Sequence, residues 1–320
     1  HGDPGVHSAA QWLLAEWGFT DEIVAIHEKL KAKEPDRSRE WFVNQAGQTL
    51  AVVRGPVTFT MGSPEQEEDR IWVEWPHRRT IPRSFAIGTH EVTLAEYLRF
   101  DPDHEYDAKY SPTDACPVLD VSWFDAARYC RWLSQQEGIA EDQMCFPPLE
   151  QIGADRPLKL PENLLNRTGY RLPTAAEWEY AARAGVATSR YFGADERRLA
   201  DYVWFRGNSA DRSHPVASLK PNDLGLFDVL GNALEWCQNW YFDEYPPLPA
   251  DKTLVDGSDS RPGFVYEIRG GGYLSEAAIV RLADRDSDVP AKQSFEIGFR
   301  IARTVSLEGE KSRPANTGGP

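Results

Sequence analysis

Apolar positions recur at two different periods along this chain, and the change falls near Trp41. Before it the spacing is helical. Val6, Ala9, Ala10, Trp12, Leu13 and Trp17 share one side of a helix that Gly18 stops. Thr20 then caps a second helix, with Asp21 and Glu22 in its first turn and Pro35 just past its end. Residues 35–40 form a polar linker. A hairpin of this size cannot bury a core of its own, so it must rest on the main body or on an upstream region. From Trp41 short β-like runs appear, such as Leu50–Val53 and Val57–Met61. Three capped helices interrupt them. Thr93 and Glu96 make a capping box for a helix over 94–100. Ser122 and Asp125 start one that Gly138 ends. Thr174 and Glu177 start one over 175–184 that Gly185 ends.

Long irregular stretches at 143–170 and 186–225 separate these elements. Loops of that length are functional or are pinned by ions and side-chain hydrogen bonds. The tail, 306–320, has a disordered composition. The expected division is a hairpin and linker at 1–40, a main domain at 41–305, and the tail.

Composition narrows the functional classes. There are 35 Lys and Arg against 50 Asp and Glu, a net charge of −15. That excess disfavours nucleic acid, which needs clustered cations, and reads as a solvated acidic surface. No window approaches eighteen apolar residues, so no membrane partner is expected. The start has no signal-peptide character and lacks Met, which suggests a piece of a longer protein. Cys116, Cys130, Cys145 and Cys237 are widely spaced and include no CxxC pair, so reduced buried thiols and a cytoplasmic setting are expected.

An ordered set of motifs spans residues 50–304. It comprises Phe59-Thr-Met-Gly-Ser63, His90-Glu-Val-Thr93, Pro117-Val-Leu-Asp-Val-Ser-Trp123 and Tyr170-Arg-Leu-Pro-Thr-Ala-Ala-Glu-Trp178. It continues with Asn222-Asp-Leu-Gly-Leu-Phe-Asp-Val-Leu-Gly-Asn-Ala-Leu-Glu-Trp236, Arg269-Gly-Gly271 and Gly298-Phe-Arg300. The set resembles the formylglycine-generating enzyme family, the sulfatase-modifying factors. The resemblance implies an α+β, C-type-lectin-like fold with little regular secondary structure, a twisted antiparallel sheet and calcium-stabilised loops. The N-terminal hairpin is similar to segments of large planctomycete-type bacterial proteins, in which the domain often follows a protein kinase.

The family's catalytic members hold copper with two cysteines. No cysteine follows Cys237 here. The first family cysteine aligns with Ser275, the second falls near 278–280, and Gly272 replaces a serine. A hydroxyl is hard and un-ionised at neutral pH and does not substitute for a thiolate on copper, so no copper and no oxidase activity are expected. The seven histidines show no HxxxH spacing. The family's calcium loop matches Asp228, Gly231, Ala233 and Glu235, two side-chain and two carbonyl donors of the hard type calcium takes. A second family site would fall near Asp201, Tyr202 and Asp211.

A run of alternating carboxylates, Asp284-Arg-Asp-Ser-Asp288, lacks the glycine and distant glutamate of an EF-hand. The family's groove is rimmed by this run and by 273–278. Candidate ligand-binding residues are therefore Trp72, Trp75, Tyr273, Ser275, Glu276, Arg285, Asp286 and Asp288. The reading is a non-catalytic domain that binds a protein or peptide and belongs beside an upstream domain. An enzyme with different chemistry in the groove, and a regulatory or target domain of a kinase or protease system, stay open as alternatives.

Overall fold

The computed structural model describes residues 1–32, 38–153, 158–243, 252–257 and 263–306. The expected tail, apart from Ser306, lies outside them, as do residues 35–37 of the 35–40 linker. Helix α1 runs Pro4–Glu16 and α2 runs Thr20–Leu30. Strands follow: β1 (Trp41–Val43), β2 (Thr49–Val53), β3 (Val57–Met61), β4 (His77–Ile81) and β5 (Phe85–Gly88). Then come α3 (Leu94–Leu98), α4 (Trp123–Gln136), β6 (Tyr170–Arg171) and α5 (Ala175–Arg183). The chain continues with β7 (Leu234–Trp240), β8 (Thr253–Val255), β9 (Tyr266–Arg269), β10 (Asp286–Asp288), β11 (Ile297–Gly298) and β12 (Ala302–Thr304).

All three predicted capping boxes are formed, at Thr93/Glu96, Ser122/Asp125 and Thr174/Glu177. The strands make three sheets rather than one, in the orders β1-β2-β5-β12-β6, β10-β9-β7-β11 and β3-β4-β8. Two pairs, β11 with β7 and β4 with β8, are parallel.

Every residue of β2 and of β5 is buried. The reason is a core on each face of the first sheet. Leu50, Val52 and Ala86 point to one, with α4 and Trp236. Ala51, Val53, Phe85 and Ile87 point to the other, with α5 and the 226–230 segment. A strand covered on both sides reads as a continuous apolar run instead of an alternating one. The irregular segments are tied by buried arginines. Arg171 pairs with Glu177, Arg269 with Glu179 and Glu267, Arg281 with Glu74, and Arg300 with Glu235.

The hairpin departs from its expected packing. Val6, Leu13 and Trp17 face solvent, exposed by 50%, 39% and 64%. The docked side is instead Pro4 and Ser8, both buried, with Gly5 pressed on the Asp223 carbonyl. A Cβ at Gly5 would come within 2.2 Å of that oxygen, so a small residue, not an apolar one, sets the contact. His7 adds a stack on Trp41 at 3.6 Å. Thr20 is not a cap but the first residue of α2, because the Phe19 carbonyl already accepts the Ile23 N–H.

Candidate functional site

The signature segment begins where β9 ends. Gly270 and Gly271 have φ of 96° and 69°, the left-handed region that glycine tolerates best. Side chains are also barred there: a Cβ on Gly271 would lie 2.9 Å from Val280 Cγ1. The turn brings Ser275 back on itself. Its Oγ accepts the Gly272 N–H at 2.9 Å, and its carbonyl accepts the Arg206 N–H at 3.0 Å. The hydroxyl therefore closes its own loop and has no basic side chain among its hydrogen-bond partners. Val280, at the position expected for the second thiol, is buried. The four cysteines are all buried and unpaired. Burial pushes the Cys145 thiol up to about 11 and those of Cys130 and Cys237 well above the usual range, the reverse of what a nucleophile needs.

The expected groove divides into separate neighbourhoods. Tyr273 is fully buried. Its hydroxyl donates to the Phe295 carbonyl at 2.9 Å, and its ring faces Tyr110, so it is core rather than rim. Arg285 is likewise committed. It makes two 3.0 Å bonds to Glu267, one to the Val73 carbonyl, and lies over the Tyr241 ring. Glu276 is exposed and pairs with Arg206. Asp286 and Asp288 lie in edge strand β10, each capping the amide that follows it. Charged side chains on an edge strand discourage further pairing, which explains the alternating carboxylates without a ligand.

Trp72 and Trp75 are 58% and 52% exposed. They sit in the β3–β4 connection, which Arg281 holds in place. That guanidinium reaches Glu74 at 2.6 and 2.9 Å, Glu67 at 2.8 Å and the Asp69 carbonyl at 2.9 Å. Ser63 also donates to Glu74. Burial alone would raise the Glu74 carboxyl, but the hydrogen bonds from Arg281 and Ser63 bring it below the ordinary range.

The 228–235 loop turns through left-handed residues at Asp228, Gly231 and Asn232. Asp228 accepts the Ala217 N–H at 2.7 Å. Both oxygens of Glu235 receive Arg300 at 2.6 Å, and one also receives the Trp178 indole N–H. The residue missed in the sequence is Glu91, in the His90-Glu-Val-Thr93 motif. It is completely buried, and among the described residues no other side chain donates a hydrogen bond to its carboxylate. Burial, and then the neighbouring Asp228, raise its carboxyl well above the usual range. Burial also lifts Asp228 to about 6, against the pull of the Ala217 amide, Arg300 and His90. Glu91, Asp228 and Glu235 thus bring three carboxylates to one guanidinium, and two are left without a positive partner. The available signal was an acid set inside an otherwise buried strand-to-helix connection. Among the described residues no three His, Cys, Asp or Glu side chains form a metal site by themselves, so an ion here would need backbone carbonyls as well. At the second expected location Asp201 receives Lys220, and the Tyr202 carbonyl receives the Tyr191 hydroxyl.

The glycine turn at 270–272 and the buried arginines around it lie inside a known domain. The Sulfatase-modifying factor enzyme 1-like domain matches residues 37–305, and the chain belongs to that family. It is similar to the formylglycine-generating enzyme of Streptomyces coelicolor, 33% identical over 60% of this chain and 54% of that one. It is also similar to the serine/threonine-protein kinase pkn1 of Chlamydia pneumoniae, 26% identical over 78% of this chain and 37% of that one. The chain therefore spans about half the length of the first relative and little over a third of the second. The chaperone protein LppX of Paenibacillus barcinonensis is 25% identical over 68% of this chain and 82% of its own. Among solved structures, PvdO from Pseudomonas aeruginosa aligns with a TM-score of 0.64 at 26% identity, over 83% of this chain and 98% of its own. Treponema denticola variable protein 1 aligns at 0.65 with 23% identity, over 80% and 95%, a likeness of fold. Among the described residues no helix is long and apolar enough to cross a membrane.

Proposed function

We propose that this chain is a non-catalytic, lectin-like domain that binds a protein or peptide for a larger cytoplasmic protein. One observation carries the reading. The position of the family's first cysteine holds Ser275, whose Oγ is spent on the Gly272 amide, and the second position offers only buried Val280 and its neighbours. With no thiolate there, the chain has nothing to bind copper(I) or to exchange with a substrate cysteine. Relatives named as kinases and as a chaperone support a role of recruitment, since the domain occurs in proteins named for other activities. The test is mass spectrometry of a sulfatase-type cysteine peptide incubated with the copper-treated chain. No aldehyde above a protein-free control is expected, and clear aldehyde formation overturns the reading.

Calcium belongs to the same proposal as a structural ion. The proposed donors are the carboxylates of Asp228, Glu235 and Glu91 with the carbonyls of Gly231 and Ala233, hard oxygens of the type calcium takes. A divalent cation would favour the ionised forms of Glu91 and Asp228, which burial disfavours without one. When bound, it would neutralise the buried carboxylates and fix the 228–235 turn against Trp178 and Arg300.

A further inference from the structure

We propose that the cavity at the base of the β3–β4 connection docks a peptide segment that inserts one bulky apolar side chain and flanks it with lysine or arginine. The proposal rests on the binding-domain reading and names its ligand. The cavity, about 360 Å³, lies between β3, the two ends of the connection and the C-terminal end of α5. Its walls include Phe59 and Tyr180, set edge to face at 5.4 Å, with Pro64, Pro76 and Val186. That size is near the lower limit for ligand pockets, ~300–1,000 Å³, and suits one large side chain rather than a whole cofactor.

Three large apolar residues of the same connection face solvent: Ile71, Trp72 and Trp75, at 41%, 58% and 52% exposure. They are displayed on a rigid support. Arg281 and Arg285 fix the connection from one side, while Glu179 accepts the Gly62 N–H and Arg183 donates to the Gly62 carbonyl. Such a surface is already in its binding geometry and loses little entropy on association.

Charge selects the partner. Residues 62–78 carry five carboxylates against two arginines. Glu67 and Glu74 are neutralised by Arg281. Glu65, Glu68 and Asp69 remain in solvent around the tryptophans. Arg183, in the last turn of α5, also lines the cavity, but its charge is met by Glu179. Nucleic acid and acidic membranes are repelled by this rim, and so is a second copy of a chain whose net charge is −15.

The test uses the full chain and two fluorescein-labelled peptides, Lys-Arg-Phe-Leu-Arg-Lys and its Lys-Arg-Ala-Ala-Arg-Lys control, followed by anisotropy. The first should bind in a range of about 1–100 μM, and the control at least ~10-fold more weakly. Affinity should fall as salt rises from about 50 to 300 mM. The double change Trp72→Ala, Trp75→Ala should cost at least ~10-fold with the melting temperature kept, because both rings are exposed. Val186→Glu, at the cavity, should do the same. Equal binding of both peptides, binding untouched by these changes, or none at about 1 mM overturns the proposal. A display-selected peptide that binds elsewhere on the chain would overturn this site yet leave the binding-domain reading standing. Aldehyde formation would remove that reading instead.

Discussion

Two buried arginines, Arg281 and Arg300, face the same problem and reach different solutions. Arg281 meets Glu74 and Glu67 directly, and both Glu74 oxygens and Glu67 Oε1 have a donor. Arg300 forms its ion pair with Glu235, while Glu91 and Asp228 crowd behind it, and among the described residues Glu91 receives no side-chain donor. Taking a carboxylate out of water costs several kcal/mol, so a group left in that state needs a counter-charge or a proton. The first cluster is complete within the protein and works as a post that holds the tryptophan connection. The second leaves Glu91 and Asp228 without an ion-pair partner among the described residues, and it is there that the proposed calcium would act.

Removing a post should be the most damaging change. Arg281→Ala leaves Glu67 and Glu74 buried without a positive partner and should destabilise the fold by about 3–5 kcal/mol. Denaturant titration measures the loss, and a change under about 1 kcal/mol would show that the post is dispensable.

The ion-seeking cluster gives the next effect. Calcium at about 100 times its dissociation constant should add about 2.7 kcal/mol, so a chelator should lower the melting temperature by several degrees. Glu91→Gln should abolish most of that response, as should Glu235→Ala. If the chelator changes nothing and Glu91→Gln stabilises the chain, the pair carries a proton and the calcium proposal fails.

A third test lies within the Arg281 cluster. Burial lifts Asp284 to about 7, although Arg281 stands 3.6 Å away. A carboxyl whose folded value is raised stabilises the fold while protonated, and that contribution disappears as pH climbs through its folded value. Stability should therefore fall by about 1 kcal/mol between pH 6 and pH 8, both given as approximate bounds. Asp284→Asn should flatten the profile, and an unchanged slope in that variant would assign the titration to another group.

The smallest effect is expected at the surface. Trp72→Ala and Trp75→Ala, taken singly, should change stability by less than about 0.5 kcal/mol, because their rings are mostly in water. A larger loss, read from the same denaturant titrations, would make them packing residues and weaken the docking proposal.

Local signals were legible wherever one short segment decides the outcome. The Thr174/Glu177 box is set by two side chains three residues apart, and it formed where the spacing placed it. The capping of α2 was not legible, since the tight Trp17–Phe19 link let a backbone carbonyl do the work. Tyr273 and Arg285 were expected on the rim because the segments that carry them rim the groove in the family. Both are buried because Phe295, Tyr110 and Glu267 close over them from elsewhere in the chain. The exposed stripe of α1 misled for the opposite reason: helical periodicity marks an apolar face but not which surface covers it.

By itself the sequence determined the family frame, the three capping-box helices, the lack of any cysteine after Cys237 and the net negative charge, because each depends on residue identity and short spacing. Only the tertiary structure decided that the strands form three sheets around two cores. It also decided that Ser275 turns inward, that Arg281 locks the tryptophan connection, and that Glu91 stands beside Asp228. Those outcomes depend on which distant groups share a dry interior, where an unpaired charge is costly, and no local pattern specifies that partner.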